Sequence, residues 1–139
     1  MTRSHVDRVR VEFGDCDPAA IVFFPNYFRW CDAASRQFFI ACGVPPWREL
    51  EAVNGIIGTP LVSVDAQFSS PTTYGDELDV QTAIVQWNNT SFVMEHVLTC
   101  TGRPVCKVRE VRVFAIRHPA DPARIKAVRA PDDIRRRCE

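Results

Sequence analysis

Residues 25–43 read Pro25-Asn26-Tyr27-Phe28-Arg29-Trp30-Cys31-Asp32-Ala33-Ala34-Ser35-Arg36-Gln37-Phe38-Phe39-Ile40-Ala41-Cys42-Gly43. Tyr27, Trp30, Cys31, Ala34, Phe38, Ala41 and Cys42 recur at three- and four-residue intervals, the period of an α-helix. Phe28, Phe39 and Ile40 widen the apolar surface until only Asn26, Arg29, Asp32 and Arg36 form a narrow polar stripe. A helix apolar round most of its circumference needs cover on several sides. Its ends are marked too. Pro25 suits a first turn whose N–H has no helical partner, Gly43 suits the residue after the last turn, and Pro45-Pro46 prevents continuation.

The cover comes from strands. Upstream, Val9, Val11 and Phe13 alternate with Arg8, Arg10 and Glu12, which predicts a half-buried strand over residues 6–13. Downstream, Val62, Val64, Ala66 and Phe68 alternate with Ser63, Asp65 and Gln67. Leu78 to Trp87 and Ser91 to Cys100 form two alternating runs joined at Asn88-Asn89-Thr90, a hairpin signal. Gly102-Arg103-Pro104 turns into a long strand from Val105 to Ile116. A loop at His118–Pro122 leads to a short strand from Ile125 to Val128, and Pro131 to Arg137 closes with a helical turn. One long buried helix with five or six antiparallel strands is an α+β layout, expected as a single domain over residues 1–139. One sheet buries such a helix only by curling round it, and its remaining face or edge then calls for a second copy of the chain.

Bulk composition narrows the function. Seventeen basic residues balance seventeen acidic ones, so no overall field attracts nucleic acid or an anionic membrane. No apolar run approaches the roughly 18 residues that span a bilayer, and residues 1–7 are polar. The expected location is cytoplasmic. Six scattered cysteines without a Cys-x-x-Cys pair are expected as free thiols, with neither a disulfide framework nor a metal site.

Upstream of the helix lies Glu12-Phe13-Gly14-Asp15-Cys16-Asp17-Pro18-Ala19-Ala20-Ile21-Val22-Phe23-Phe24. It sets two carboxylates in one turn, then runs through apolar residues to the helix entrance. Asp-Pro is a common turn dipeptide, because the aspartate accepts nearby backbone N–H groups. Ile21-Val22-Phe23-Phe24, however, is more apolar than an exposed turn requires. A carboxylate at an apolar wall is made more basic, and free N–H groups at a helix N-terminus polarise a carbonyl beside them. No nucleophile elbow, phosphate-binding glycine loop or dinucleotide fingerprint is present. Of the three histidines, His5 lies near a terminus, His118 in a loop, and His96 alternates with Met94 and Leu98 as a core-facing strand residue. Carboxylate chemistry is left.

Residues 10–30, Asp32-Ala33-Ala34-Ser35-Arg36, Cys42-Gly43-Val44-Pro45-Pro46-Trp47-Arg48, Gly58-Thr59-Pro60 and Trp87 to Phe92 resemble the 4-hydroxybenzoyl-CoA thioesterase family of the hot-dog fold. The long pattern Asp-x-Asp-Pro-Ala-x-Ile-Val-x-Phe/Tyr-Pro-Asn-Tyr carries most of the resemblance. It implies an antiparallel sheet wrapped around one central helix, and a homodimer or homotetramer with active sites at the dimer interface. It implies an acyl-CoA thioesterase acting on an aromatic acyl group without a cofactor, CoA being part of the substrate.

In that frame Asp17 is the catalytic carboxylate, as nucleophile or general base, and the backbone N–H of Phe24 bonds the thioester oxygen. Asp32, Tyr27 and Thr59 would contact the acyl group, and Asn88, Asn89, Thr90 and Ser91 the CoA. Asp32 has a plainer alternative, an ion pair with Arg29 or Arg36 at helical spacing. The chain departs from the family at Ala20, where glycine is usual, at Phe24, where tyrosine occurs, and at Asn88-Asn89-Thr90, a turn that is basic in close relatives. Arg103, Lys107, Arg124, Lys126 and Arg135-Arg136-Arg137 are the other candidates for the CoA phosphates. Two alternatives stand beside this reading: a thioesterase for short aliphatic acyl-CoA or acyl carrier protein, and a non-catalytic module that binds acyl thioesters.

Overall fold

A computed structural model describes residues 3–139. The long helix α1 runs Pro25–Ala41 and buries Tyr27, Trp30, Cys31, Ala34, Ser35, Phe38 and Phe39. Its C-terminus closes on Gly43 at φ +81°. Gly43 N–H donates to the Ile40 carbonyl and Val44 N–H to that of Phe39, so two otherwise unpaired carbonyls are satisfied. The strand order is β1 (Ser4–Arg10), β4 (Glu77–Trp87), β5 (Ser91–Cys100), β6 (Arg103–His118), β2 (Ile56–Gly58), with β3 (Leu61–Phe68) and β7 (Asp121–Val128) also paired to β6. All pairings are antiparallel. The sixteen-residue β6 is long enough to be flanked by β5 and β3 over its first part and by β7 and β2 beyond.

Helix and sheet meet in two apolar clusters. Val11, Val22, Tyr27, Trp30, Cys31, Leu78, Val80, Leu98 and Val105 pack at the N-terminal end of α1. Phe38, Phe39, Phe92, Phe114, Ile84 and Ile134 pack at its other end. Five of the six cysteines are buried. Burial pushes the Cys106 thiol up to about 12 and raises Cys31 as well, so both behave as small core residues rather than nucleophiles. No helix among the described residues is long and apolar enough to cross a membrane.

Four local expectations change. The first strand stops at Arg10, and Phe13–Asp15 form a 3-10 turn. Phe13, expected on the core side, is therefore 80% exposed. A second helix, α2 (Trp47–Asn54), follows α1; it buries only Leu50 and lacks a side-chain N-cap, so it left no periodic signal. β2 is three residues long, too short for a pattern. β7 begins at Asp121 instead of Ile125 and is exposed nearly throughout. The final helix, α3 (Asp132–Cys138), anchors Ile134 and Cys138 in the core.

β3 holds the expected alternation from Ser63 to Phe68, but a bulge between Leu61 and Ser63 takes Val62 out of register, and the strand is exposed nearly throughout. Val62 is 62% exposed, Val64 42% and Phe68 51%, and Leu61, at 47%, shares the face of Val64 and Phe68 because the bulge follows it. β3 pairs with β6 on one side only. An unpaired edge lined with apolar side chains is a surface that folded chains normally cover.

Candidate active site

The two carboxylates of the turn separate by their partners. Asp15 Oδ2 accepts Glu12 N–H at 2.8 Å and Oδ1 accepts Arg29 Nη2–H at 3.1 Å. Its carbonyl accepts Phe23 N–H at 2.9 Å and Asn26 Nδ2–H at 2.9 Å. Asp15 is thus a bracket that holds the turn to the start of α1. Asp17 has one tie, from Ala19 N–H to Oδ1 at 2.8 Å, while Oδ2 has no partner among the described residues. Asp17 lines a cavity of about 520 Å³ with Phe13, Cys16, Pro18, Ala20, Thr73 and Tyr74. A bridge between Cys16 and Val22 closes the loop that carries it. Within that loop Ala20 has φ +65°, the left-handed conformation for which glycine is suited.

Phe24 caps α1 at φ −56°, ψ −32° without a side-chain bond. The N–H groups of Asn26 and Tyr27 turn back to the carbonyls of Phe23 and Phe24, and Pro25 has none. Phe24 N–H has no acceptor among the described residues, which leaves it as the open donor at the helix mouth. Phe24 lines a second cavity, of about 330 Å³, with Ile21, Val22, Tyr27 and Phe68–Pro71. Consecutive residues, Ala20 and Ile21, line the Asp17 and Phe24 cavities respectively. Tyr27 is 4% exposed, and its hydroxyl shares a 2.6 Å bond with Thr72 Oγ1, leaving the ring as its contribution to the wall. Burial raises its pKa in spite of the Thr72 bond.

Asp32 and Thr59 lie elsewhere, in a cleft of about 540 Å³ shared with Ser35, Arg36, Trp47, Ile57, Pro60 and Arg112. Asp32 is eight residues beyond Phe24 on α1, roughly 12 Å along the helix axis. Its ion partner is neither Arg29 nor Arg36. Arg29 holds Asp15, and the Arg36 guanidinium lies 5.2 Å from the centre of the Trp47 ring. Asp32 Oδ1 instead accepts Arg112 Nη2–H at 2.9 Å.

The turn that joins β4 and β5 is further still. Asn88 and Ser91 bond to each other, N–H to carbonyl at 2.8 Å and Nδ2–H to Oγ at 3.1 Å, and Asn89 and Thr90 are exposed. β5 runs from Ser91 to Cys100, and Cys100 packs in the cluster at the Asp17 end. Nine strand steps put the turn roughly 30 Å from that end of the sheet. Of the basic candidates, Arg103 is tied to Ser70 Oγ and the Pro71 carbonyl, Lys107 pairs with Glu95, and Arg135 with Glu139.

Comparison with known proteins places the chain. Residues 11–138 match the model of the thioesterase-like superfamily. The chain belongs to that superfamily. It is 46% identical over 143 residues to 4-hydroxybenzoyl-CoA thioesterase of Pseudomonas sp. strain CBS-3, covering 99% of each chain. The crystal structure of a D17N mutant of 4-hydroxybenzoyl-CoA thioesterase complexed with 4-hydroxybenzoyl-CoA superimposes with a TM-score of 0.93 at 44% identity, covering 99% of each chain. A gentisyl-coenzyme A thioesterase matches with a TM-score of 0.79 at 31% identity, covering 96% of this chain and 98% of its own. The fold is the hot-dog fold, and the near-full-length likeness to a thioesterase marks the chain as a thioester hydrolase.

Within this hot-dog chain the sequence reading missed Arg112, Glu110 and Trp47. A parity signal for the first two was present. On β6, Cys106, Val108, Glu110, Arg112 and Phe114 share one face, so two charges interrupt an otherwise apolar row. Glu110 is 3% exposed and Arg112 4%. Among the described residues no cluster of three or more His, Cys, Asp or Glu is placed to hold a metal ion.

Proposed function

We propose that the chain hydrolyses an aromatic, 4-hydroxybenzoyl-like acyl-CoA to the free acid and CoA, with Asp17 as its catalytic carboxylate. The observation that carries this is the division of labour in the turn: both oxygens of Asp15 are bonded, whereas Asp17 keeps one oxygen open in an apolar cavity. Thiolate is a good leaving group, so a carboxylate suffices without a histidine base. On the nucleophilic route Asp17 adds to the thioester carbonyl, the C–S bond breaks, CoA leaves as thiolate, and water then cleaves the mixed anhydride. On the general-base route Asp17 takes a proton from the water that adds. In both, negative charge gathers on the carbonyl oxygen, where Phe24 N–H at the helix N-terminus is the donor to meet it.

A complete site requires two copies of the chain. Asp17 and Phe24 lie at one end of α1, while Asp32, Thr59 and Trp47 lie in the separate cleft. Leu61, at the start of β3, lines that cleft, and Phe68, at its end, lines the Phe24 cavity. A two-fold axis that pairs β3 with itself along its whole length sets Leu61 against Phe68 of the second copy. The cleft of one chain then meets the Phe24 cavity of the other, and the exposed valines of β3 are covered by the same step. Asn88, Asn89, Thr90 and Ser91, far from their own Asp17, lie on the cleft's side of the sheet, where Ser91 pairs with Val113 and Val113 N–H bonds the Pro60 carbonyl. They are proposed to hold CoA there, and the reaction is proposed to run in the cytoplasm with no cofactor.

A panel of 4-hydroxybenzoyl-, benzoyl- and butyryl-CoA assayed by thiol release tests the reading. Fastest turnover of the hydroxybenzoyl ester, lost in Asp17→Ala, is the expected result. Binding without thiol release, or unchanged turnover in Asp17→Ala, overturns it. Single-turnover hydrolysis in heavy-oxygen water separates the two routes, because only the nucleophilic one places label in Asp17.

A further inference from the structure

We propose that Arg112 is the positioning residue that sets acyl selectivity, by holding Asp32 and the Thr59 carbonyl as a fixed pair of acceptors at the cleft. The proposal rests on the thioesterase reading and names what the cleft recognises: a flat apolar acyl group with a neutral hydroxyl at its far end.

A continuous chain of polar side chains leads from the middle of the sheet to the cleft. Thr82 Oγ1 on β4 lies 2.7 Å from His96 Nδ1 on β5, and His96 Nε2 lies 2.5 Å from Glu110 Oε1 on β6. Every bond is satisfied when Thr82 O–H donates to Nδ1 and Nε2–H donates to Glu110. Glu110 Oε2 then accepts Arg112 Nη2–H at 2.7 Å, and Oε1 accepts Nε–H at 3.3 Å. The same guanidinium reaches forward, with Nη2–H to Asp32 Oδ1 at 2.9 Å and Nη1–H to the Thr59 carbonyl at 2.8 Å. Arg112 thus clamps one wall of the cleft on α1 and another on the segment before β3.

Stability alone does not account for such an arrangement, because buried ion pairs are often replaceable by apolar residues without loss. The chain ends where it becomes useful. Asp32 has a side chain 74% exposed, while that of Arg112 is 5% exposed. An aspartate so exposed would sample several rotamers; the buried guanidinium fixes one and leaves Oδ2 without a partner among the described residues. Trp47, Ile57, Pro60 and Leu61 give the cleft apolar walls. Arg36 and Arg112 also line it, which disfavours a cationic ligand and leaves a neutral O–H as the donor that fits. Lysine is no equivalent, since one ammonium with three N–H donors cannot make the four bonds that the planar fork spreads over Glu110, Asp32 and the Thr59 carbonyl.

The test is the ratio of kcat/KM for 4-hydroxybenzoyl-CoA to that for benzoyl-CoA, measured in wild type, Arg112→Lys, Glu110→Gln and Asp32→Asn. General damage lowers both substrates together and leaves the ratio alone. The expected result is a ratio that falls about tenfold or more in Arg112→Lys and Asp32→Asn, through the hydroxylated substrate. In the double variant the ratio falls no further than in Asp32→Asn alone. An unchanged ratio in folded Arg112→Lys, or in Asp32→Asn at its exposed position, overturns the proposal. Loss of folding in both Arg112→Lys and Glu110→Gln assigns the chain to stability and overturns it too. A wild type that hydrolyses neither ester would instead defeat the thioesterase reading itself.

Discussion

Asp17, Ala20 and Phe24 show how much chemistry one short loop places through backbone geometry. Asp17→Asn keeps the shape and the Ala19 bond but removes the charge proposed to attack or to take a proton. Its kcat should fall by about a thousandfold or more, with substrate still bound, as single-turnover kinetics and direct binding would show. Phe24 offers a sharper variant, because its φ of −56° is already that of proline and its N–H bonds nothing else among the described residues. Phe24→Pro should therefore fold, as circular dichroism would check, and lose about 100- to 1,000-fold in kcat, whereas Phe24→Ala, which keeps the N–H, should lose far less. Ala20 has φ +65°. Left-handed alanine costs about 1–2 kcal/mol, partly offset by the greater entropy glycine loses on folding, so Ala20→Gly should stabilise the chain by about 0.5–1 kcal/mol in denaturant titrations.

At the scale of elements, β6 carries the main tension in the fold, with two charges in a row that otherwise faces the core. Burial alone would raise the Glu110 pKa, but hydrogen bonds from His96 and Arg112 prevail and hold its carboxyl below the usual carboxylate range. A carboxyl whose pKa is lowered on folding contributes stability above its unfolded pKa, about 4.5, and that contribution disappears as pH falls through the folded value. The wild type should accordingly lose stability steeply on the acid side, and Glu110→Gln, less stable at neutral pH, should show a flatter acid limb in melts run across pH. The same strand shows what the sequence made legible. Helix α1 was readable because its apolar period, opening proline and closing glycine all agree, and the β4–β5 hairpin because alternation and turn agree. α2 and β2 were not, since eight residues with one buried leucine and a three-residue strand have no period to detect. The turn that carries Asp17 stood out by its apolar sequel, but the partner of Asp32 was not legible. Arg112 is eighty residues away, and only the sheet register brings it there.

For the whole molecule, the two cavities proposed to form one site lie at the two ends of one strand, with Leu61 lining one and Phe68 the other. The β3 edge is apolar, unpaired and short enough for a two-fold axis to set its ends against each other. Two tests follow from that geometry. Val64→Glu places a carboxylate near the axis, close to its own symmetry copy and to Asp65 of the second copy, where like charges repel, and should shift sedimentation from a dimer toward monomer with loss of activity. Complementation is the stricter test, because stability effects cannot imitate it. Asp17→Asn disables the helix-mouth half of every site, and Thr59→Trp, by filling the cleft, disables the other half. Each variant alone should be nearly inactive. If each site takes its halves from different chains, a dimer with one copy of each variant has one site with both lesions and one with none. Random reassortment of an equal mixture makes about half the dimers mixed, so activity should recover to about one quarter of wild type. A site built within one chain would put a lesion in every site and recover nothing, so a mixture as inactive as its parts would refute the two-chain arrangement.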